Sequence, residues 1–272
     1  MTTTTVDLAA VKARQQATWA SGDFSEIATT IVSAAERLVD AADLRAGASV
    51  LDVATGSGNA AIAAARLGCR ATGVDYVPSL LERGRERAAA ERLAIEFVAG
   101  DAEDLPFADA SFDAVTSIYG VMFAPDHART ATEIARVASP GATIALASWT
   151  PEGFLGAMFR TIGAHVPPPA GVASPLLWGT EGHIGEIFAD RVEWTAHERR
   201  NFTFRYPSPE AFVAFFATYY GPTHKAFEAL GDSGEELRSD LEELAREWNR
   251  LDDEAGAIAI DGEYLESIGR RV

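Results

Sequence analysis

The sequence predicts an α/β fold built on a doubly wound sheet, and three observations carry that expectation. Strand and helix signals alternate from about residue 48 to 148, the rhythm of parallel strands joined by crossover helices. The first strand signal, in VLDVATGSGNAA (50–61), runs directly into a turn holding Gly56 and Gly58 and then into a helix. Beyond residue 150 the alternation gives way to longer helical stretches and two further strand signals, which bring the strand total to seven.

SVLDVA (49–54) reads as a buried strand, and NAAIAAARL as a helix that stops near Gly68. RATGVD (70–75) is the second strand, and a helix with a charged flank follows Pro78 through LLERGRERAAAERL. IEFVAGD (95–101) is the third strand and DAVTSIY (113–119) the fourth. EIARVA is the heart of the next helix, Pro140 and Gly141 form a turn, and ATIALAS (142–148) is the fifth strand. GFLGAMFRTIGAHV has helical apolar spacing and is stopped by Pro167, Pro168 and Pro169. VEWTAHERRNFTF supplies the sixth strand and EYLESIGRRV the seventh. Between them, Ser208 and Pro209 start a helix that places Phe212, Phe215, Phe216 and Tyr219 on one face and ends at Gly221 and Pro222. Ser233 and Glu236 have the spacing of a capping box for a final amphipathic helix through Leu237, Leu241, Leu244, Trp248 and Leu251. No repeat or low-complexity linker interrupts the chain, so residues 1–272 are expected to form a single domain. Its parts are N-terminal helices forming a lid (1–45), a core (46–150), and cap helices with the last two strands (151–272).

Composition narrows the function. The chain has 272 residues, 47% of them hydrophobic, enough for a packed core. Its formal charge of -17 leaves no broad basic surface to displace counterions from a phosphate backbone, so nucleic acid is not expected as a partner. A single cysteine, Cys69, allows no internal disulfide and no multi-cysteine metal site. The stretch MTTTTVDLAAVKARQQ lacks the basic segment and apolar run of a secretory signal, and Arg66 and Arg70 interrupt the alanine-rich region well short of a membrane span. A cytoplasmic protein without membrane contact is expected.

The glycine turn admits two ligands. Glycines between strand and helix let backbone approach a ligand, while the free N–H groups and positive end of the helix attract an anion. Gly56, Gly58 and Ala61 satisfy the dinucleotide pattern G-x-G-x-x-G/A, and Asp75 lies where an acid would grip a ribose. An NAD(P)-dependent oxidoreductase is therefore one reading. Asp52, however, gives D-x-x-x-G-x-G, and an acid there can accept hydrogen bonds from the turn or from an ammonium group, whereas it would repel a pyrophosphate. The third strand ends in GDAEDLPFADASFDAV, with Asp101 and Ala102 at its carboxyl end and Asp113 entering the fourth strand.

Taken together these motifs resemble class I S-adenosylmethionine-dependent methyltransferases, in the broad group similar to the ubiquinone and menaquinone biosynthesis methyltransferases (methyltransferase type 11/25). The resemblance covers residues 48–150 by motif. It extends more loosely to WASGDFSEIA (19–28), SIYGVMFAPD (117–126) and SWTPEGF (148–154), which look like uncharacterised bacterial members of that group. It implies a Rossmann-like sheet of seven strands, mostly parallel with the last antiparallel, and S-adenosyl-L-methionine as cofactor, with S-adenosyl-L-homocysteine as product.

The resemblance also assigns residues. Ala54, Gly56 and Gly58 would line the cofactor, the glycines along its methionine moiety, with Asp52 near the amino group. Asp75 would accept both ribose hydroxyls, Tyr76 or Val77 would lie along the adenine, Asp101 would take the adenine amino group, and Ala102 would meet the ring edge. Ile118, Tyr119 and Met122 would sit under the sulfonium and adenine, where an aromatic face favours a cation. Trp19, Gly22, Asp23 and Phe24 would form the lid, or else Trp19 and Phe24 are ordinary packing. Asp113 is expected to be structural.

Methyl transfer by direct displacement needs positioning and exclusion of water more than a fixed catalytic group. Where the acceptor must lose a proton, Tyr119, His127, Tyr219 and Tyr220 are candidate bases. His127, His165, His183, His197 and His224 lack metal-ligand spacing, so no metal is expected. The aromatic cap, with Phe154, Phe159, Trp178, Phe212, Phe215 and Phe216, suggests a small apolar or aromatic acceptor, although the same residues at helical spacing suit a core. A non-catalytic protein that binds S-adenosylmethionine is a further alternative. The chain is expected to be a monomer or homodimer.

Overall fold

The computed structural model describes residues 7–251 and 256–272. The first six residues of the expected lid, and 252–255 after the final helix, lie outside them.

Three helices precede the sheet: α1 (Leu8–Trp19), α2 (Phe24–Thr30) and α3 (Val32–Ala41). The alternation then runs β1 (Ser49–Val53), α4 (Asn59–Arg66), β2 (Arg70–Asp75), α5 (Pro78–Ala90), β3 (Ile95–Ala99), β4 (Phe112–Ile118), α6 (His127–Val137) and β5 (Ala138–Trp149). After these come α7 (Phe154–His165), α8 (Glu181–Phe188), β6 (Val192–Tyr206), α9 (Pro209–Tyr219), α10 (Gly221–Leu230), α11 (Gly234–Glu247) and β7 (Ile258–Arg271). The seven strands form one sheet in the order β3-β2-β1-β4-β5-β7-β6, with β7 antiparallel to both neighbours. Order reverses between β1 and β4. A doubly wound sheet opens a crevice at that switch point, beyond the carboxyl ends of the strands.

Local chemistry accounts for the close packing around this point. Ala60, Ala61, Ala63 and Ala64 of α4 are buried, and their short side chains let the helix approach the sheet. One continuous core then links Ile27 and Leu38 of the N-terminal helices to Ile144 in the sheet and to Phe212 and Leu237 in the cap. Among the described residues no helix is long and apolar enough to cross a membrane.

β6 and β7 are longer than their sequence signals and explain where the cap sits. β7 pairs with β5 only as far as Tyr264, opposite Trp149 at the carboxyl end of β5. Its residues 258–263 continue beyond, paired with β6 alone. This two-stranded arm projects from the carboxyl edge of the sheet and carries α9, α10 and α11 between its strands, above the crevice.

Two local expectations are corrected and one is extended. Pro140 and Gly141 do not end an element: β5 runs through them, and the register with β4 shifts between Phe112 and Ala114. Gly141 takes the left-handed backbone such an irregularity requires. Gly221 and Pro222 end α9 but also begin α10, because proline in the first turn has no N–H to leave unpaired. Ser233 makes no capping hydrogen bond and sits in a single 3-10 turn, so the expected capping box does not form. Ser208 does cap, accepting from the Ala211 N–H.

Candidate functional site

A cleft of about 880 Å³ opens at the switch point. Its floor is the carboxyl ends of four strands: Ala54, Thr55 and Gly56 after β1, Asp75 and Tyr76 at β2, Gly100 to Ala102 after β3, and Ile118 to Gly120 at β4. Lys12, Gln15, Trp19 and Phe24 from α1 and α2 form the roof. The backbone of the floor is strained. Ala54 and Tyr119, neither a glycine, hold left-handed backbone at φ 53° and 54°, a conformation that costs on the order of 1 kcal/mol or more and collects at functional sites.

Asp75 is the polar centre. It is buried, and its two oxygens accept from the Gly56 N–H (2.8 Å) and the Val77 N–H (2.9 Å). Burial outweighs these bonds and lifts its carboxyl from 3.8 to about 6. Gly56, at φ 56°, presents the N–H that Asp75 takes. Gly58, at φ 88°, ends the turn facing the other way: a Cβ there would meet the Phe97 ring at 2.9 Å, and Gly58 does not line the cleft.

Asp52 stands apart from the cleft lining. It is 1% exposed and lies behind the turn, accepting from Thr55 Oγ1 (2.5 Å), Thr116 Oγ1 (3.1 Å) and the Ala61 N–H (3.2 Å). Of the two partners its position allowed, the turn has taken it. Burial, reinforced by the nearby Asp75, pushes its carboxyl up to about 6. For both acids the folded-state value lies above the ordinary 3.8, so each stabilises the fold most below pH 4 and loses that contribution as pH rises through 6.

The roof is latched by charge. Lys12 Nζ lies 2.5 Å from Asp101 Oδ2 and 2.7 Å from Glu103 Oε2, and the Gln16 amide donates to the Tyr76 carbonyl. Desolvation alone would lower the Lys12 pKa, but the two carboxylates outweigh it and hold the ammonium above its ordinary value. Trp19 packs edge-on against Phe24, Phe123 and Tyr220 and closes the apolar side. Gly22 approaches the Tyr219 carbonyl so closely that a Cβ would lie 2.8 Å from it, and Asp23 caps α2 and pairs with Arg83. Lys12 and Gln15 were missed at the sequence level. The only signal was their helical spacing with Trp19, on a helix whose single buried residue is Val11.

Other expected positions divide. Tyr76, Asp101, Ala102, Ile118, Tyr119, Trp19 and Phe24 line the cleft. Val77 and Met122 are fully buried beside it and do not. Asp113 sits at the opposite edge of the sheet, accepting from the Ser49 N–H and Oγ at 2.8 Å, a structural clasp.

The candidate bases are displaced or disabled. His127 is buried against Trp178 with its Nδ1 2.8 Å from His183 Nε2, outside the cleft, and burial together with His183 lowers its pKa to about 4. Tyr219 is half-buried, packs against Phe215 and the core, and lines no part of the cleft. Tyr119 stacks on Trp149 at 3.7 Å, and desolvation holds its hydroxyl well above the ordinary phenol value. Tyr220 reaches only a small adjoining aromatic pocket, where burial likewise raises it. Two buried polar atoms bordering the cleft have no hydrogen-bond partner among the described residues: Gln15 Oε1 and Tyr119 Oη. Among the described residues no group of three or more His, Cys, Asp or Glu side chains could hold a metal ion.

The cap aromatics separate in the same way. Phe154, Trp178 and Phe212 are core, 0–1% exposed. Phe216 lines the small aromatic pocket with Trp149, Phe204 and Tyr220, and Phe159 lines a larger groove on the other side of Trp19. Phe215 packs against Tyr206 and Tyr219.

Residues 51–146 match a family described as a methyltransferase domain. The chain is 41% identical over 236 residues to an uncharacterised protein of Mycobacterium tuberculosis (strain H37Rv), covering 85% of this chain and 86% of that protein. It is 34% identical over 185 residues to the demethylmenaquinone methyltransferase of Thermus thermophilus, covering 66% and 77%. In fold it is similar to the YcgJ protein of Bacillus subtilis, with a TM-score of 0.62 at 21% identity, covering 87% of this chain and 97% of that one.

Proposed function

Since the chain belongs to the class I S-adenosylmethionine-dependent methyltransferases, we propose that it methylates a small apolar or aromatic acceptor in the cytoplasm by direct displacement. When bound, the cofactor supplies a methyl group activated on a sulfonium; the acceptor's lone pair forms the new bond while the electrons of the broken carbon–sulfur bond stay on sulfur.

Asp75 carries the reading. Each of its oxygens accepts one backbone N–H and keeps a lone pair, which suits it to a ribose with two adjacent hydroxyls. Asp101, one third exposed across the floor, can accept from an adenine amino group. Trp19, Phe24 and Tyr119 offer aromatic faces to a cation. A dinucleotide fits less well. Lys12 is the one cation lining the cleft among the described residues, and it is already paired with two carboxylates, so a pyrophosphate would meet acids without a counter-charge.

With no histidine lining the cleft among the described residues and Tyr119 held protonated, the chain supplies positioning and not a strong base. Gln15 Oε1, buried and without a partner among the described residues, can accept the hydrogen bond of an acceptor hydroxyl or amine whose proton then leaves to water.

The test is calorimetric titration with S-adenosyl-L-homocysteine and with NADH, followed by transfer of labelled methyl from S-adenosyl-L-methionine to a panel of phenols, amines and carboxylic acids. Binding of the first with methylation of a panel member is expected. NADH binding in its place would favour an oxidoreductase, and cofactor binding without transfer to any acceptor a non-catalytic binder.

The affinity is also expected to depend on pH. The ionised Asp75 is the better acceptor, so binding weakens as pH falls through 6, by about tenfold between pH 8 and pH 5. A flat calorimetric profile across that range would contradict the placement of the ribose on Asp75.

A further inference from the structure

A second, larger opening of about 1640 Å³ adjoins the cleft and shares Gln15, Trp19, Phe123, Ala124 and Pro125 with it. Its outer walls are Phe159 and Ile162 of α7 and the segment from Val166 to Leu176, which is rich in proline and alanine. Among the described residues its walls contain no carboxylate. In a chain of net charge -17 that is a marked local departure. The single ionisable side chain lining the groove is Arg160, which is exposed, donates one hydrogen bond to the Pro151 carbonyl and pairs with no carboxylate among the described residues. An apolar trough with one guanidinium at its edge that meets no carboxylate among the described residues matches a ligand that has an apolar body and one negative charge.

We propose that the groove is the acceptor's binding site and that the acceptor is an anionic amphiphile, its apolar body along Phe159 and Ile162 and its carboxylate on Arg160. This rests on the methyltransferase reading and adds to it the chemical class of the acceptor. The overall charge of the protein repels anions, so Arg160 supplies selectivity where the rest of the surface opposes it. The shared wall brings the other end of such a ligand to Gln15 and the cleft. Exposure of the guanidinium limits the strength of the ion pair to about 1 kcal/mol, or roughly fivefold in affinity.

The experiment is titration of the full chain, saturated with S-adenosyl-L-homocysteine, with decanoate, decan-1-ol and decyltrimethylammonium. Decanoate is expected to bind about fivefold more tightly than decan-1-ol, with decyltrimethylammonium weakest. Arg160→Gln should remove the preference for decanoate while leaving decan-1-ol binding as it was. Equal binding of decanoate and decan-1-ol by the unaltered chain, absence of binding by all three, or a preference that survives Arg160→Gln would overturn the proposal. If S-adenosyl-L-homocysteine binds and the preference is missing, this proposal fails alone; if S-adenosyl-L-homocysteine does not bind, the methyltransferase reading fails and the acceptor role with it.

Discussion

Replacing Asp75 by alanine is expected to weaken S-adenosyl-L-homocysteine binding by at least about tenfold, because the two charge-assisted hydrogen bonds we propose it makes to the ribose would each be worth on the order of 1.5 kcal/mol or more. The effect on the fold is a balance of two terms. The Gly56 and Val77 N–H groups lose their acceptor, at about 1–3 kcal/mol each, while a carboxylate that burial has raised to about 6 is removed from the interior. The melting temperature at pH 8 should therefore move much less than the affinity. Asp75→Asn keeps one acceptor oxygen in the same shape and should fall between the two. Calorimetry with parallel thermal melts distinguishes the outcomes. Unchanged affinity in a folded Asp75→Ala protein would remove Asp75 from the binding site.

The second large effect is expected at Gly120, where the issue is space. Its φ of -98° is open to any residue, but a Cβ there would lie 2.5 Å from the Ala54 carbonyl oxygen and 2.7 Å from the Ala54 Cβ. Both are atoms of Ala54, just past β1, one backbone and one a methyl stub, so neither can swing aside from Gly120 at the end of β4. Gly120→Ala must part the two strand ends that form the cleft floor. Overpacking of this kind costs about 1–3 kcal/mol, and cofactor affinity should fall as well because Ala54, Tyr119 and Gly120 all border the site. Gly182→Ala in α8 is the control, since nothing lies within 4 Å of its added methyl and helix propensity favours it by about 0.5–1 kcal/mol. A Gly120→Ala protein that melts with the unaltered chain and binds cofactor equally well would show that the close approach carries no weight.

Legibility in the sequence followed the range of the interaction. The second strand is found over the residues expected, Arg70 to Asp75, because each of its residues feeds one compact β-α rhythm. The start of α9 was legible because Ser208 caps it three residues away. The capping box at Ser233 had the correct residue types and still did not form, since a 3-10 turn closes that corner. Gly221 and Pro222 carry both a stop and a start signal, and the apposition of α10 with α9, invisible locally, makes both apply.

At the candidate site the same division holds. The strand ends that carry Gly56, Asp75, Asp101 and Tyr119 could be read from the order of motifs, as could the family to which they belong. Asp52 and His127 could not be placed by that means. Whether a carboxylate at the end of β1 faces a ligand or the turn depends on Thr116, 64 residues away on the neighbouring strand, and His127 is taken by His183 from α8. Lys12 became part of the site through Asp101, 89 residues distant. Amino-acid order alone determined the sheet, its glycine turn and the acids at its carboxyl edge, because hydrophobic period and turn chemistry act over a few residues. Tertiary packing decided which acids still have lone pairs to offer, which aromatics border open space, and where a lone arginine meets an apolar groove, because those depend on contacts between segments far apart in the chain.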